Sequence, residues 1–423
     1  MFEIILKEIY KLFRKFPYLK ELIVNSFPNS VKRYLGVFPI QLNTEKKLLQ
    51  KVLNNGNWNM SYGRTPMHIE LENEFAKYVG TAEAVAVSGG GTGIQMSLRA
   101  LGLNHQSEVL MQVDTCSAVP MATLNAQVVP RFFDADSNSF HSSIESINNQ
   151  LNMNSKAIIA THFWGNSDDV DSLLKICSSN NLHFIEDACL ALGTKISGAM
   201  AGSFGTVGVF SFGSTKPIQA GEGGMLVTND KDLARELRSM RHWGERTKDY
   251  GYRDVQQLSW NGRMSEFSAA VALGQLRGYP TFLEKIRENV RFFERFLDNE
   301  ISDISLNLGN SSRLEDSSFT QSVLTLHNFS QEKKKKLLLH LRNSGITAFH
   351  ANFEPIPTLS LFKSNDWAKW INQRDLKSDL EMNEIQFKNA YDIYNYKGIG
   401  LARSNFQSRF TINRLIKSLR GFN

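Results

Sequence analysis

Short apolar segments alternate with helix-like segments along the chain from about Thr44 to Val227. Each apolar segment has the length of a strand, and apolar residues at helical spacing follow several of them. The strand candidates lie at 84–87, 109–111, 128–133, 157–160, 183–185, 207–210 and 225–227. This alternation predicts an α/β fold with a mostly parallel sheet that is covered by helices on both faces. Sheets of this kind bind their ligands at the carboxyl ends of the strands.

The length of the chain predicts more than one domain. Its 423 residues are typical of a large domain joined to a smaller one. A helical stretch at 265–296 is interrupted near Pro280, and a strand, a helix and a second strand follow between residues 322 and 346. We therefore predict an N-terminal extension at 1–43, a large domain at 44–280 and a small C-terminal α/β domain at 281–423.

The first residues of the chain form a basic amphipathic pattern. Apolar side chains recur at helical spacing between Phe2 and Phe16, basic side chains lie on the opposite face, and Pro17 ends the pattern. We expect this helix to pack on the protein's own body or on a second subunit, and a membrane-surface anchor at 1–16 is the alternative. The sequence contains no apolar run of membrane-spanning length and no signal peptide pattern. We expect a cytoplasmic protein, with peripheral membrane contact as the alternative.

Charge and cysteine content argue against nucleic-acid and metal binding. The net charge is +6, but the basic residues are mostly interspersed with acidic ones. The run at 333–336 lies on a predicted helix, so we expect a solvated face rather than a nucleic-acid site. Cys116, Cys177 and Cys189 have neither CxxC spacing nor the spacing of metal ligands. We expect a reducing environment and no metal site.

Three polar features follow predicted strands, each with a structural alternative. The glycine-rich run at 88–93 precedes a helix, and it is either an anion site at the helix N-terminus or a tight turn. Asp187 ends an apolar strand, where it either meets a ligand or caps the next helix. Lys216 lies in a Gly/Ser/Thr turn after another strand, where it forms a Schiff base or is a surface lysine. The order of the three features favours the ligand-binding interpretation for all of them.

These features together resemble the DegT/DnrJ/EryC1/StrS family of fold-type I pyridoxal-phosphate (PLP) enzymes, mainly nucleotide-sugar aminotransferases. The most specific segment is SFGSTKPIQAGEGGMLVTND, and IELENEFAKYVG, FIEDACLALG, THFWGNSDDVD and WNGRMSEFSAAVALGQL support it. The similarity runs from about Gly56 to Leu361. It implies a large domain with a mostly parallel sheet, a smaller C-terminal α/β domain, and pyridoxal 5'-phosphate as the cofactor.

The resemblance also implies a role for individual residues. Lys216 matches the lysine that binds the cofactor as a Schiff base, and Asp187 matches the acid that pairs with the pyridinium nitrogen. The residues that match phosphate ligands are Gly91, Thr92 and Ser211. Asn261 matches an asparagine that reaches the phosphate from the neighbouring subunit, which implies a homodimer with shared active sites.

Three positions depart from the family pattern. Gly90 replaces the usual serine, Cys116 replaces an aromatic residue that stacks on the cofactor ring, and Leu190 replaces a Gln or His near the phenolic oxygen. The losses at Cys116 and Leu190 each remove about 1 kcal/mol of cofactor binding. We therefore expect the cofactor to be held less tightly than in the usual family member.

Three further residues are candidates for the substrate pocket. His162 and Trp164 follow a predicted strand and are candidates for the pocket wall, with packing as the alternative. Arg403 is a candidate ligand for a carboxylate or phosphate, with a surface position as the alternative.

The implied reaction is transfer of an amino group, from glutamate by family precedent, to a keto group of a nucleotide-linked or related sugar. Two alternatives within the fold are action on a non-sugar ketone and sugar dehydration. Dehydratases of this family typically carry histidine in place of the lysine, so Lys216 argues against dehydration. A non-catalytic regulatory or scaffold protein is the alternative from another class, and the intact Lys216, Asp187 and Ser211 argue against it.

Overall fold

The computed structural model describes residues 43–56, 58–60, 66–247, 253–311, 313–364, 366–371 and 385–422. The predicted amphipathic helix at 1–16 and its membrane alternative lie outside these residues. No helix in the described part of the chain is both long enough and apolar enough to cross a membrane.

A seven-stranded sheet forms the centre of the large domain. Its strands are β1 (Glu83–Val87), β2 (Glu108–Gln112), β3 (Val129–Phe133), β4 (Ser155–Thr161), β5 (His183–Asp187), β8 (Val207–Ser211) and β9 (Gly224–Thr228). The short hairpin of β6 (Lys195–Ile196) and β7 (Ala199–Met200) lies between β5 and β8 in the chain. The strand order is β1-β9-β8-β5-β4-β2-β3, and β9 alone runs against the other strands of this sheet. The predicted α/β fold with a mostly parallel sheet is confirmed.

Helices cover both faces of this sheet, because its strands carry apolar side chains in both directions. The helices are α1 (Asn43–Asn55), α2 (Met67–Val79), α3 (Gly90–Ala100), α4 (Ala118–Asn125), α5 (Ile144–Gln150), α6 (Val170–Asn180), α7 (Lys231–Arg241) and α8 (Glu266–Glu300). Helices α3, α4 and α7 share one core with residues such as Val85. Helices α1, α2 and α8 share the opposite core with Ala86, and α5 and α6 complete that face.

The small domain contains a four-stranded antiparallel sheet of β12 (Ile304–Asn307), β13 (Gln321–Leu326), β14 (Ala348–His350) and β15 (Gly398–Ala402), in the order β12-β13-β15-β14. In chain order, the remaining elements are the hairpin β10 (Glu245–Thr247) and β11 (Arg253–Val255), then α9 (Gln331–Asn343), α10 (Ser360–Lys363), α11 (Lys388–Asp392) and α12 (Arg409–Arg420). The second half of α8, α9 and α12 pack on this sheet. The predicted smaller C-terminal α/β domain is therefore present.

Helix α8 joins the two domains without a break. It runs for 35 residues from its N-cap at Ser265, whose side chain accepts a hydrogen bond from the backbone N–H of Ser268. The predicted interruption near Pro280 is wrong, because this exposed proline lies inside the continuous helix. Along α8, the large-domain core ends at Leu283 and the small-domain core begins at Ile286. The change of core thus lies close to residue 280, inside the helix.

Part of the C-terminal region packs on the large domain rather than on the small one. Between residues 351 and 393, most of the buried apolar side chains belong to the core that contains α3, α4 and α7. One contact is edge-on, between the rings of Phe132 and Phe362, whose centroids are 5.9 Å apart. The predicted small domain at 281–423 is therefore not a single packing unit.

The basic run at 333–336 is not a uniformly solvated face. Lys334 is only 1% exposed, and its ammonium donates to the backbone oxygens of Ile393 at 3.2 Å and Tyr394 at 2.6 Å. Burial lowers the pKa of Lys334 to about 7. The expected solvated face is wrong for this residue, since a lysine beneath a helix is indistinguishable from an exposed one in the sequence.

Candidate active site

The predicted site residues meet at one edge of the large sheet. Strands β1, β5 and β8 run in the same direction, so their carboxyl ends lie at the same edge. The glycine run follows β1, Asp187 is the last residue of β5, and the Lys216 turn follows β8. The sheet therefore brings together three features that are far apart in the sequence.

The glycine run forms a candidate anion site at the N-terminus of α3. The helix begins at Gly90, and its first amides have no acceptor within the helix. A side chain at Gly91 would meet no atom within 4 Å, so the space beside this backbone is open. The Ser88 hydroxyl donates to the Thr92 hydroxyl at 3.2 Å. Backbone donors, a helix dipole and open space are the requirements for binding a phosphate group.

Ser211 lies beside this loop at the end of β8. A Cβ atom built on Gly90 would lie 3.1 Å from Cβ and 3.6 Å from Oγ of Ser211. The Ser211 hydroxyl also accepts a long hydrogen bond of 3.4 Å from the backbone N–H of Gly213. The resemblance matched Ser211 to a phosphate ligand, and the structure brings it against the glycine run.

Asp187 presents its carboxylate at the end of β5 and is 5% exposed. One carboxylate oxygen accepts a hydrogen bond from the backbone N–H of Cys189 at 3.2 Å. Its backbone oxygen accepts from the N–H of His162 at 3.0 Å, which fixes the strand end against the segment that follows β4. These two hydrogen bonds hold the Asp187 carboxylate and backbone at a defined position at the sheet edge.

The Lys216 turn is fixed by its backbone, and its side chain is not. The N–H of Lys216 donates to the oxygen of Gly213 at 3.2 Å, and the N–H of Ala220 donates to the oxygen of Phe212 at 2.9 Å. The half-buried Lys216 side chain makes no hydrogen bond or ion pair with any residue that the structure describes. Its charge acts on the thiol of Cys189, which places the ammonium near that residue. An amine without a protein partner is available to a cofactor.

Arg403 supports the Lys216 turn from the small domain. It is 5% exposed, and its guanidinium donates to the oxygen of Pro217 at 3.0 Å and to the Thr320 hydroxyl at 2.6 Å. It also donates to the oxygen of Phe319 at 3.2 Å. The alternative of a surface position is wrong, because the buried guanidinium donates all three of these hydrogen bonds to groups of the protein. Because Pro217 follows Lys216 directly, Arg403 positions the lysine turn.

His162 and Trp164 lie in the protein interior. His162 is fully buried, and its ring nitrogens contact Glu186 Oε2 at 2.9 Å and the backbone N–H of Asp168 at 3.1 Å. Trp164 is 2% exposed and packs against Phe163 with ring centroids 5.3 Å apart. Both side chains are enclosed by protein groups, which agrees with packing, the alternative role, and their place in the substrate pocket stays a prediction.

Cys116 and Leu190 occupy the positions where the family pattern places a stacking ring and a hydrogen-bonding side chain. Cys116 is half-buried after β2, next to Thr115, whose hydroxyl is 3.0 Å from that of Thr161. Leu190 is 7% exposed and follows Cys189 in the turn after β5. Neither side chain supplies a ring or a strong hydrogen-bond donor.

Asn261 is exposed and lies close to the glycine run of its own chain. Its side-chain oxygen accepts from the backbone N–H of Arg263 at 3.2 Å. The next residue, Gly262, accepts a hydrogen bond of 2.8 Å from the N–H of Ser88. The structure therefore places Asn261 at the surface beside the candidate phosphate site.

One buried ion pair beneath the site was missed in the sequence. The Arg241 guanidinium donates to Glu72 Oε1 at 2.5 Å and to the backbone oxygen of Ala86 at 3.0 Å. Glu72 also accepts from the N–H of Ala86 at 2.9 Å. These bonds hold the end of β1 just before the glycine run. The available signal was an acidic residue on the apolar face of α2, where burial without a partner is costly.

The site residues fit pyridoxal 5'-phosphate. The cofactor presents a phosphate, an aldehyde and a ring nitrogen that is protonated in these enzymes. The N-terminus of α3 with open space at Gly91 suits the phosphate, the partnerless amine of Lys216 suits the aldehyde, and Asp187 suits the ring nitrogen. The described residues include no group of three or more His, Cys, Asp or Glu side chains that could hold a metal ion.

The sheet and these residues define the class of fold-type I PLP-dependent aminotransferases. Solved structures of this class superpose on nearly the whole chain. Helicobacter pylori PseC, an aminotransferase involved in the biosynthesis of pseudoaminic acid, superposes with a TM-score of 0.79 at 22% identity, covering 91% of this chain and 97% of that one. The chain belongs to the DegT/DnrJ/EryC1/StrS aminotransferase family, whose profile matches residues 39–374.

Two curated relatives cover most of the chain. GDP-perosamine synthase of Vibrio cholerae is 27% identical over 320 residues, which are 75% of this chain and 84% of that protein. GDP-4-keto-6-deoxy-D-mannose 3-dehydratase of Yersinia pseudotuberculosis is 25% identical over 361 residues, which are 79% of this chain and 88% of that protein. Similar sequences in this family thus carry names of both amino-transfer and dehydration enzymes.

Proposed function

We propose that this chain is a PLP-dependent aminotransferase that moves an amino group, from glutamate, to a keto group of a nucleotide-linked or related sugar. The observation that carries the proposal is the partnerless Lys216 amine at the same sheet edge as Asp187 and the α3 anion site. Membership in an aminotransferase family supports it, as does the likeness to GDP-perosamine synthase.

Each site residue has a distinct task in this reaction. When bound, pyridoxal phosphate supplies an electron sink for the substrate carbon that carries the amino group. Asp187 keeps a proton on the ring nitrogen by charge pairing. Lys216 would hold the cofactor through its amine, and the same amine would take up the proton that leaves the substrate carbon. The α3 N-terminus, Thr92 and Ser211 hold the phosphate, which fixes the ring during both half-reactions.

Lys216 also separates amino transfer from sugar dehydration. In the dehydratases of this family a histidine typically takes the place of this lysine. The amine at Lys216 lies on a turn that Arg403 holds through Pro217, so it is both present and positioned. This favours amino transfer over the reaction named for the dehydratase relative.

A non-sugar ketone is the second candidate substrate. The departures at Cys116 and Leu190 favour it, because the family pattern places both positions against the cofactor ring. The two candidates differ in substrate and share the same cofactor chemistry.

The amino-transfer proposal is tested by the two half-reactions separately. With glutamate alone, purified holoenzyme should release one molecule of 2-oxoglutarate per active site. It should at the same time lose the yellow absorbance of the cofactor bound to Lys216. Addition of a nucleotide-linked keto sugar should restore that absorbance, and Lys216→Ala should do neither. If no amino donor changes the spectrum, the aminotransferase proposal is wrong. If only non-sugar ketones restore it, the sugar assignment is wrong and the second candidate stands.

The active protein is proposed to be a homodimer whose sites are shared between subunits. Asn261 is exposed beside the phosphate site of its own chain, as a residue facing a partner would be. Large apolar side chains are exposed on nearby segments, with Trp243 at 47%, Val255 at 65% and Leu258 at 77%. Exposed apolar surface next to a site is typical of a protein interface.

A cytoplasmic location is proposed on the chemistry of the cysteines. Cys116, Cys177 and Cys189 are all free thiols, which a reducing compartment maintains. Peripheral membrane contact through residues 1–16 remains the alternative for the N-terminal segment.

A further inference from the structure

The glycine at position 90 lies against a thiol. A Cβ atom built on Gly90 would lie 2.9 Å from Sγ of Cys189 and 3.1 Å from Cβ of Ser211. A contact of 2.9 Å is shorter than real Cβ contacts, so any side chain at Gly90 requires a neighbour to move. Neither neighbour is the flexible end of a long side chain, because the cysteine and serine side chains are short and attached to the sheet edge.

Cys189 contacts Asp187 on one side of the candidate cofactor site and strand β8, which ends in Ser211, on the other. Its backbone N–H donates to a carboxylate oxygen of Asp187 at 3.2 Å, and its thiol donates to the oxygen of Val209 in β8 at 3.7 Å. The thiol also lies close enough to Lys216 and Cys116 for their charges to act on it. One residue thus touches the acid, the strand that ends in Ser211, and the loop at Gly90.

The thiol in this position is neutral. Burial, followed by the nearby Asp187 carboxylate, raises the pKa of the Cys189 thiol well above its usual value, although Lys216 acts in the opposite direction. A neutral thiol packs as a small apolar group and donates a weak hydrogen bond. Its contribution here is therefore the space that it fills rather than reactivity.

We propose that Gly90 and Cys189 are a matched pair, in which the Cys189 thiol fills the space that a side chain at position 90 would otherwise occupy. Cys189 is thereby a positioning residue for the cofactor phosphate. The inference rests on the proposed PLP site. The absence of a side chain at Gly90 lets the N-terminus of α3 approach Ser211, and the thiol fills the gap that remains. With a cysteine at position 189, the chain therefore requires a glycine at position 90.

A substitution at Gly90 should therefore act on phosphate binding. A serine there displaces either the start of α3 or the Cys189 side chain, and so moves the start of α3 relative to Ser211. The amides that point at the phosphate then lose their alignment with Ser211. Replacing Cys189 by alanine removes the obstructing sulfur and makes room for the serine.

The test is a double-variant cycle on the apoenzyme of the full chain. PLP affinity is measured by absorbance titration for the parent, Gly90→Ser, Cys189→Ala and the double variant. Gly90→Ser should weaken PLP binding by about tenfold, since overpacking against short side chains is costly. The double variant should bind PLP within about threefold of Cys189→Ala, a non-additive result. Cys177→Ala, which removes a buried thiol in the core of α6, serves as the matched control and should leave binding unchanged.

A second ligand separates phosphate positioning from general damage. Pyridoxal, which lacks the phosphate, should bind Gly90→Ser and the parent with similar affinity if the substitution acts at the phosphate. Additive effects in the cycle, or equal loss of pyridoxal and PLP binding, would overturn the pairing. If Gly90→Ser does not fold, the same comparisons use Cys189→Val, which enlarges the other partner and should weaken PLP but not pyridoxal. A parent that does not bind PLP would instead refute the proposed cofactor site.

Discussion

Replacing Arg403 by methionine should loosen the lysine turn and destabilise the protein. Methionine keeps much of the apolar stem but removes the donors to Pro217, Phe319 and Thr320, at distances of 3.0, 3.2 and 2.6 Å. Two of these acceptors are backbone oxygens in a buried region, and leaving each of them unpaired costs about 1–3 kcal/mol of folding free energy. Relief from burying the guanidinium offsets part of this loss. We expect the free energy of unfolding to fall by about 3 kcal/mol.

The assay is urea unfolding of the apoenzyme, combined with PLP titration. The matched control is Arg235→Met, which removes an exposed pair with Asp232 whose side chains are 70% and 83% exposed. Exposed pairs contribute at most about 1 kcal/mol, so this control should change little. PLP binding should weaken in Arg403→Met, because Pro217 adjoins Lys216. If Arg403→Met matches the control in stability and affinity, Arg403 does not hold the lysine turn.

Three further outcomes follow from the structure. Mixing Asn261→Ala with Lys216→Ala chains should restore about one intact site per heterodimer, measured as amino transfer, and mixtures as inactive as the parents would refute shared sites. Leu190→Gln and Cys116→Phe should each tighten PLP binding, together by about thirtyfold if the gains add, and unchanged or weaker binding in both would lower the sugar assignment. The pKa of Lys334 is about 7 in the folded protein and about 10.5 in the unfolded chain. Between these two pH values the unfolded chain binds a proton that the folded chain lacks, so the free energy of unfolding should rise with pH. Urea unfolding at pH 7.5 and 9.5 should show a gain about 2 kcal/mol larger in the parent than in Lys334→Met, and equal slopes would contradict the buried amine.

The strands of the large sheet were predictable because each is a short, nearly continuous apolar run. Such runs are typical of strands that are buried on both faces of a parallel sheet. The reversed direction of β9 was not predictable, since the composition of a central strand does not encode its direction. Pro280 was misread for a related reason. Proline usually ends a helix, but here it lies on the exposed side of α8 while apolar residues on both sides of it pack into two cores.

Family resemblance assigned roles to residues at strand ends, and these roles stay predictions. Lys216, Asp187 and Ser211 all follow from the match, and their meeting at one edge follows from the parallel sheet. The burial of His162, Trp164 and Arg403 was not predictable, because it depends on contacts with distant segments such as Glu186. The pairing of Gly90 with Cys189 has the same origin, since the two residues are 99 positions apart and meet only through the sheet.

The central claim is that Lys216 binds the cofactor, and borohydride reduction tests it most directly. The purified protein should be yellow, and reduction should fix the mass of the cofactor onto the peptide that contains Lys216. Peptide mapping by mass spectrometry locates the label, and Lys216→Ala serves as the control that cannot take it. Label on Lys216 alone is the predicted result. Label on another lysine, or no label after incubation with PLP, would contradict the account of this site.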